Sequence, residues 1–164
     1  MATNRASCPA VAFARERGIA LAVLSQKDFA SGEERDAAMR DFFLLRGVEL
    51  VVDAGYDRIH TAPFLEAFEG RIVNIHPSLL PMFSGGMDAV EQALESGLNF
   101  TGATVHVVTA ELDAGPILLQ ESVPILEGDT VDTLRERVHE AEHRILPEGI
   151  RMMEALLADR PSVR

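Results

Sequence analysis

Short apolar runs alternate along this chain with longer stretches in which apolar residues recur every three or four positions. The runs IALAVL (19–24), VELVVDAG (48–55), RIVNI (71–75), ATVHVV (103–108) and PILLQESV (116–123) have the length and β-branched content of strands. Between them, Ser7 to Arg17 predicts a helix with Pro9 in its first turn and Gly18 after its end. Ser31 is placed to cap a helix with Glu33 and Glu34 in its first turn, running to about Arg46 before Gly47. Thr61 and Pro63 open a short helix, and a further one is expected from about Met87 to Ser96. Asp129 or Thr130 caps the last helix, where Pro147 predicts a bend because proline removes an intrahelical hydrogen bond.

Strands alternating with helices predict an α/β domain with a mostly parallel sheet, read as one domain over residues 1–164. Ligands of such sheets gather outside the carboxyl ends of the strands. Three loops are expected to open there: AGYDRIH, NIHPSLLP and TAELDAGP.

Charge narrows the partners. A formal net charge of −11 weighs against a polyanion such as nucleic acid, which needs clustered Lys and Arg. A small anion can still be held by local amides or a single arginine. No run reaches the roughly 20 apolar residues that cross a bilayer, so no membrane partner is expected. Cys8 is the one cysteine, which leaves no internal disulfide and suits a reducing, cytoplasmic setting.

Candidate chemistry sits in NIHP. Asn74 and His76 are two apart at a strand end, so both side chains project to one side. An amide donor beside a protonated imidazole can hold a developing oxyanion. Asp113 lies in a loop expected at the same sheet edge, where its carboxylate would fix the ring's tautomer and favour the protonated form. Taken singly, Asn-x-His is more often structural and Asp-Ala-Gly is first a turn.

The stretch NIHPSLLP, with EQALESG, TGATVHVVTAELDAGPILLQ and GDTVDTLRERVHEAEH after it, resembles the phosphoribosylglycinamide formyltransferases from about Thr3 to Met153. The related formyltetrahydrofolate hydrolases tend to carry a second histidine where this chain has Pro77, and methionyl-tRNA formyltransferases add a basic domain. The resemblance implies a Rossmann-like formyltransferase fold. The implied reaction moves a formyl group from 10-formyltetrahydrofolate to the amine of glycinamide ribonucleotide, in purine biosynthesis. The family's catalytic Asn, His and Asp match Asn74, His76 and Asp113. Its folate-binding backbone matches Asp57, Arg58, Ile59 and His60, together with Thr109, Ala110, Glu111 and Leu112.

Glu142 matches the glutamate that contacts the substrate's ribose, and His139, one turn earlier, falls near its phosphate. Asp53 and Asp57 stand where family members usually place apolar residues, and Gly32 where many carry an arginine near the folate tail. The loop MFSGGM (82–87) is about one residue longer than common versions. His106, within a strand, reads as a satisfied core histidine. The implied partners are glycinamide ribonucleotide and folate, with a homodimer as the assembly to test.

The family normally opens with a strand, a glycine-rich phosphate loop, a helix and a second strand. TNRASCPAVAFARERGI resembles the segment just after that second strand. The expectation is therefore an N-terminally truncated fold whose two missing strands would lie between IALAVL and VELVVDAG, with an incomplete phosphate site. Against the enzyme stands a noncatalytic folate-binding or interaction fragment of this fold.

A third reading comes from HEAEH (139–143), whose histidines share a helix face as in many zinc hydrolases. It needs a third ligand, and the acids that follow, Glu148 and Glu154, lie on the same helical run. No metal is expected.

Overall fold

The computed structural model describes residues 1–85 and 88–159. They form two compact units, Met1–Glu49 with Arg58–Glu69, and Leu50–Asp57 with Gly70 onward.

In the smaller unit, β1 (Ala2–Thr3) pairs in parallel with β2 (Ala22–Val23). Only two residues of IALAVL are in the ladder, because β1 offers no longer partner. Helix α1 (Pro9–Glu16) follows Cys8 with proline at its first position, where a missing N–H goes unmissed, and buries Val11 and Ala14. Helix α2 (Gly32–Leu44) begins at Ser31, whose hydroxyl accepts the Glu34 N–H at 3.1 Å.

Asp36 on α2 is fully buried. Its carboxylate accepts from Arg35 Nη2 at 2.7 Å and from the Thr61 N–H at 2.6 Å, which ties α2 to the start of α3 (Ala62–Ala67). A buried charge is tolerated there because both oxygens are hydrogen-bonded. Phe43, Phe64 and Phe68 pack around this contact with ring centroids 5.0–6.2 Å apart.

The larger unit holds a four-stranded sheet in the order β3 (Val51–Asp53), β4 (Ile72–His76), β5 (Phe100–Val107), β6 (Ile117–Pro124). The parallel expectation describes β1–β2 and β3–β4, whereas β4–β5 and β5–β6 run antiparallel. The eight residues between Val107 and Pro116 explain the second reversal, being too few for the crossover that parallel neighbours require. IALAVL and VELVVDAG thus contribute to different sheets.

Helix α4 spans Ala89–Glu95, and the expected start at Met87 lies outside the described residues. Helix α5 (Val131–Ala158) is helical through Pro147. Thr130 caps it, accepting from the Thr133 N–H at 3.2 Å. Leu134, Val138, Ala141, Ile145, Gly149 and Met153 recur at helical spacing and lie on the Val73, Ile75, Ala103 and Val105 face of the sheet. A Cβ on Gly149 would sit 2.5 Å from Val105 Cγ1, so a side chain there would hold the helix off the sheet. With one face filled by α5, Asn74 and His76 are left to the other.

Candidate active site

On that other face, Asp53, Asn74 and His106 form a single row across β3, β4 and β5. Asn74 Nδ2 donates to His106 Nε2 at 3.1 Å, and His106 Nδ1 lies 3.2 Å from the Val107 carbonyl oxygen. Both ring nitrogens are therefore used and the ring is 2% exposed. The core-histidine reading captures this burial but misses the partner, which is Asn74.

Asp113 reaches the same place by an unexpected route. Because β5 runs antiparallel to β4, its loop leaves beside Ile72, at the end of β4 away from His76. The expectation of a loop at the carboxyl edge is corrected: the loop returns over the sheet face. Asp113 Oδ2 then stands 3.6 Å from His76 Nδ1, and Oδ1 stands 3.8 Å from His106 Nε2. The Gly85 N–H donates to Oδ2 at 2.8 Å and fixes the carboxylate's orientation. Asp113 adopts φ 53°, the left-handed region that few residues other than glycine occupy and that aspartate tolerates better than most.

His76 has acceptors on both sides. Its Nε2 is 3.2 Å from the Phe83 carbonyl oxygen, and its Nδ1 faces Asp113. The loop carrying Phe83 is braced by buried Thr104, whose hydroxyl donates to the Ser78 carbonyl at 2.6 Å and accepts from the Leu80 N–H at 3.1 Å. Gln120 Nε2 adds bonds to Thr104 Oγ1 at 2.8 Å and to the Leu80 carbonyl at 3.0 Å. Such a network fixes the loop that presents the Phe83 carbonyl oxygen to His76 Nε2.

Behind the sheet edge, a cavity of about 420 Å³ is lined by Ala54, Gly55, Ile75, Pro77, Asp88, Arg135, His139, Glu142 and His143, among others. Glu142 is pushed up to about 7 by burial, and its Oε2 is 3.8 Å from His139 Nε2. Arg135 was missed in the sequence. It lies four residues before His139 and seven before Glu142, a spacing that puts all three on one helix face. HEAEH thus lines a cavity, and among the described residues no group of three or more His, Cys, Asp or Glu is placed to hold a metal ion.

The expected folate-binding residues divide between the units. Thr109, Ala110, Glu111 and Leu112 are exposed in the loop that ends at Asp113, where Thr109 Oγ1 donates to the Glu111 carbonyl at 3.0 Å. Asp57 belongs to the larger unit, Arg58, Ile59 and His60 to the smaller. Within the smaller unit Ile59 is 67% exposed, and His60 is buried with its ring stacked on Phe64 at 4.3 Å. Of the loop 82–87, Gly86 and Met87 lie outside the described residues.

A half-buried amide, two imidazoles and one carboxylate gathered near a helix-lined cavity have the makings of acyl-group transfer. The formyl transferase family profile matches residues 1–150, and the chain belongs to that family. Within it, the chain is 39% identical over 145 residues to the phosphoribosylglycinamide formyltransferase of Haemophilus influenzae, covering 88% of this chain and 68% of that one. It is 44% identical over 151 residues to the trifunctional purine biosynthetic protein adenosine-3 of Gallus gallus, covering 92% of this chain and 15% of the relative's length. A crystal structure of glycinamide ribonucleotide transformylase 1 from Symbiobacterium toebii superposes with a TM-score of 0.90 at 46% identity, covering 94% of this chain and 73% of that one. The family implies a formyl donor, and no helix among the described residues is long and apolar enough to cross a membrane.

Proposed function

We propose that this chain transfers a formyl group from 10-formyltetrahydrofolate to the amine of glycinamide ribonucleotide. The observation that carries the reading is the Asp113 carboxylate, set within 3.6–3.8 Å of both imidazoles, one of which holds Asn74. In this scheme the amine nitrogen attacks the formyl carbon and a new C–N bond forms. The formyl oxygen becomes an oxyanion, which Asn74 stabilises by donating an N–H and protonated His76 by its charge. Asp113 orients His76 and takes the proton released by the amine through a water. Collapse breaks the bond to N10 of the folate, which leaves with a proton.

The acceptor occupies the cavity of Glu142 and His139. The donor's pterin end lies along the backbone of Thr109 to Leu112, in the same unit as Asp57. A cytoplasmic homodimer completes the proposal. The similarity to named phosphoribosylglycinamide formyltransferases supports the acceptor and the transfer of a formyl group.

The test is to assay the 164-residue chain with both substrates, beside Asn74→Ala and His76→Ala. Each substitution should lower kcat by about 10²–10³-fold with folding unchanged. A chain that binds both substrates without turnover, or a His76→Ala variant with full activity, would refute the reading.

A further inference from the structure

His106 is a second imidazole facing Asp113, and the scheme above leaves it without a task. Its surroundings state its protonation. The Val107 carbonyl oxygen, 3.2 Å from Nδ1, can only accept, so Nδ1 carries the hydrogen. The Asn74 nitrogen, 3.1 Å from Nε2, can only donate, so Nε2 presents a bare lone pair. Together these two hydrogen bonds select the neutral ring with its hydrogen on Nδ1 over the other tautomer.

We propose that His106 is the positioning residue that sets which end of the Asn74 amide faces the reacting formyl oxygen, and that protonating His106 reverses it. The proposal rests on the formyl-transfer reading. The reacting centre lies where Asp113 meets both imidazoles, which is the side toward which Nδ2 of Asn74 is turned. The nitrogen has two hydrogens: one is bound by His106, and the other remains for the oxyanion. A proton on Nε2 turns that atom into a donor. Asn74 then answers it only by rotating its carbonyl oxygen inward, which puts a lone pair where the oxyanion develops.

The two imidazoles around Asp113 are thus not interchangeable. His76 Nε2 faces the Phe83 carbonyl oxygen and its Nδ1 stands 3.6 Å from Asp113, whereas His106 is hydrogen-bonded to one acceptor and one donor, with Asp113 Oδ1 further off at 3.8 Å from Nε2. Burial pushes His106 below the ordinary histidine range. The Val107 carbonyl and the carboxylates of Asp113 and Asp53 oppose this, and His76 adds to it. These groups come from β3, β4, β5 and the Asp113 loop. Because the neutral form is the productive one, kcat falls as pH drops through the depressed His106 value.

Nitrogen-15 NMR of the histidine rings in the free chain tests the tautomer without substrate or turnover. The expected spectrum has His106 protonated at Nδ1 alone near neutral pH, with the Asn74 amide resonances shifting as His106 titrates. Finding it protonated at Nε2, or doubly protonated near neutral pH, overturns the proposal whatever the activity.

Kinetics supply the second arm. His106→Leu, checked for folding, should lower kcat by about 10²-fold while KM for either substrate changes by no more than about twofold. His106→Gln, which offers a non-titrating carbonyl acceptor, should recover part of kcat and lose the acid limb. A His106→Gln enzyme that keeps the wild-type acid limb refutes the switch. A wild-type chain without turnover but with the expected tautomer refutes the formyl-transfer reading and leaves the positioning geometry standing.

Discussion

Glu142→Gln isolates the energetic consequence of placing a carboxyl in the helix-lined cavity. Burial pushes Glu142 from an ordinary value of 4.5 up to about 7, and its side chain is 16% exposed. The unfolded chain ionises this group near 4.5 and the folded chain near 7, so within that window the native state holds a proton that the unfolded state has lost. Stability from Glu142 is therefore complete below the lower value and disappears as pH rises through the upper one. At roughly 1.4 kcal/mol per pH unit, the gap corresponds to about 3 kcal/mol.

His139, 3.8 Å away, favours the carboxylate when protonated, which makes that figure an upper bound. Glutamine keeps the shape and the hydrogen-bonding capacity but never ionises. The variant should match the parent below about pH 4.5 and exceed it by up to about 3 kcal/mol near pH 8. Urea unfolding of both chains across this range, with m-values compared, is the assay. An equal difference at both ends of the range, or a variant less stable than the parent at alkaline pH, would refute the reasoning.

Two further substitutions probe the frame around the site. Gly149→Ala places a methyl group 2.5 Å from Val105 Cγ1, and the resulting overpacking should cost about 1–3 kcal/mol, read by thermal melting; an unchanged Tm would show that α5 has room on the sheet. Asp129, which accepts from Arg137 and from the Leu126 N–H, is held well below the usual carboxylate range, by Arg137 first. Its contribution is present above the ordinary carboxylate value and lost only as pH falls through the depressed one. Asp129→Asn should therefore destabilise the chain at neutral pH and lose its effect in strong acid, which unfolding at both pH values will show.

Much of this arrangement was readable from local pattern because local physics decides it. Ser31, Thr130 and Pro9 mark helix starts through groups within four residues of themselves, and the observed α2, α5 and α1 begin where those groups act. The shared face of Asn74 and His76 follows from strand alternation alone. Strand ends were harder, since a ladder needs a partner: IALAVL supplies six apolar residues and only Ala22–Val23 finds one. Arg135 is connected to His139 and Glu142 by helical spacing alone, and it lies outside the five residues of the HEAEH motif.

The direction of β5 is where local reading fails and where the site is made. A helix between β4 and β5 resembles a parallel crossover, and a parallel β5 would have carried the Asp113 loop to the edge beside His76. The observed antiparallel β5 sends that loop away from His76, and contact is restored by backbone that folds back with Asp113 at φ 53°. The same reversal sets the register in which His106 stands opposite Asn74. An antiparallel pairing therefore supplies both an imidazole to hold the amide and a loop to lay a carboxylate across the two rings. Pattern flags Asp113 as a carboxylate for the site but not the route by which its loop arrives, and it leaves His106 in ATVHVV as an ordinary strand residue. What distinguishes them is a pairing register, and that is decided by the whole β4–β5–β6 sheet packing against α5.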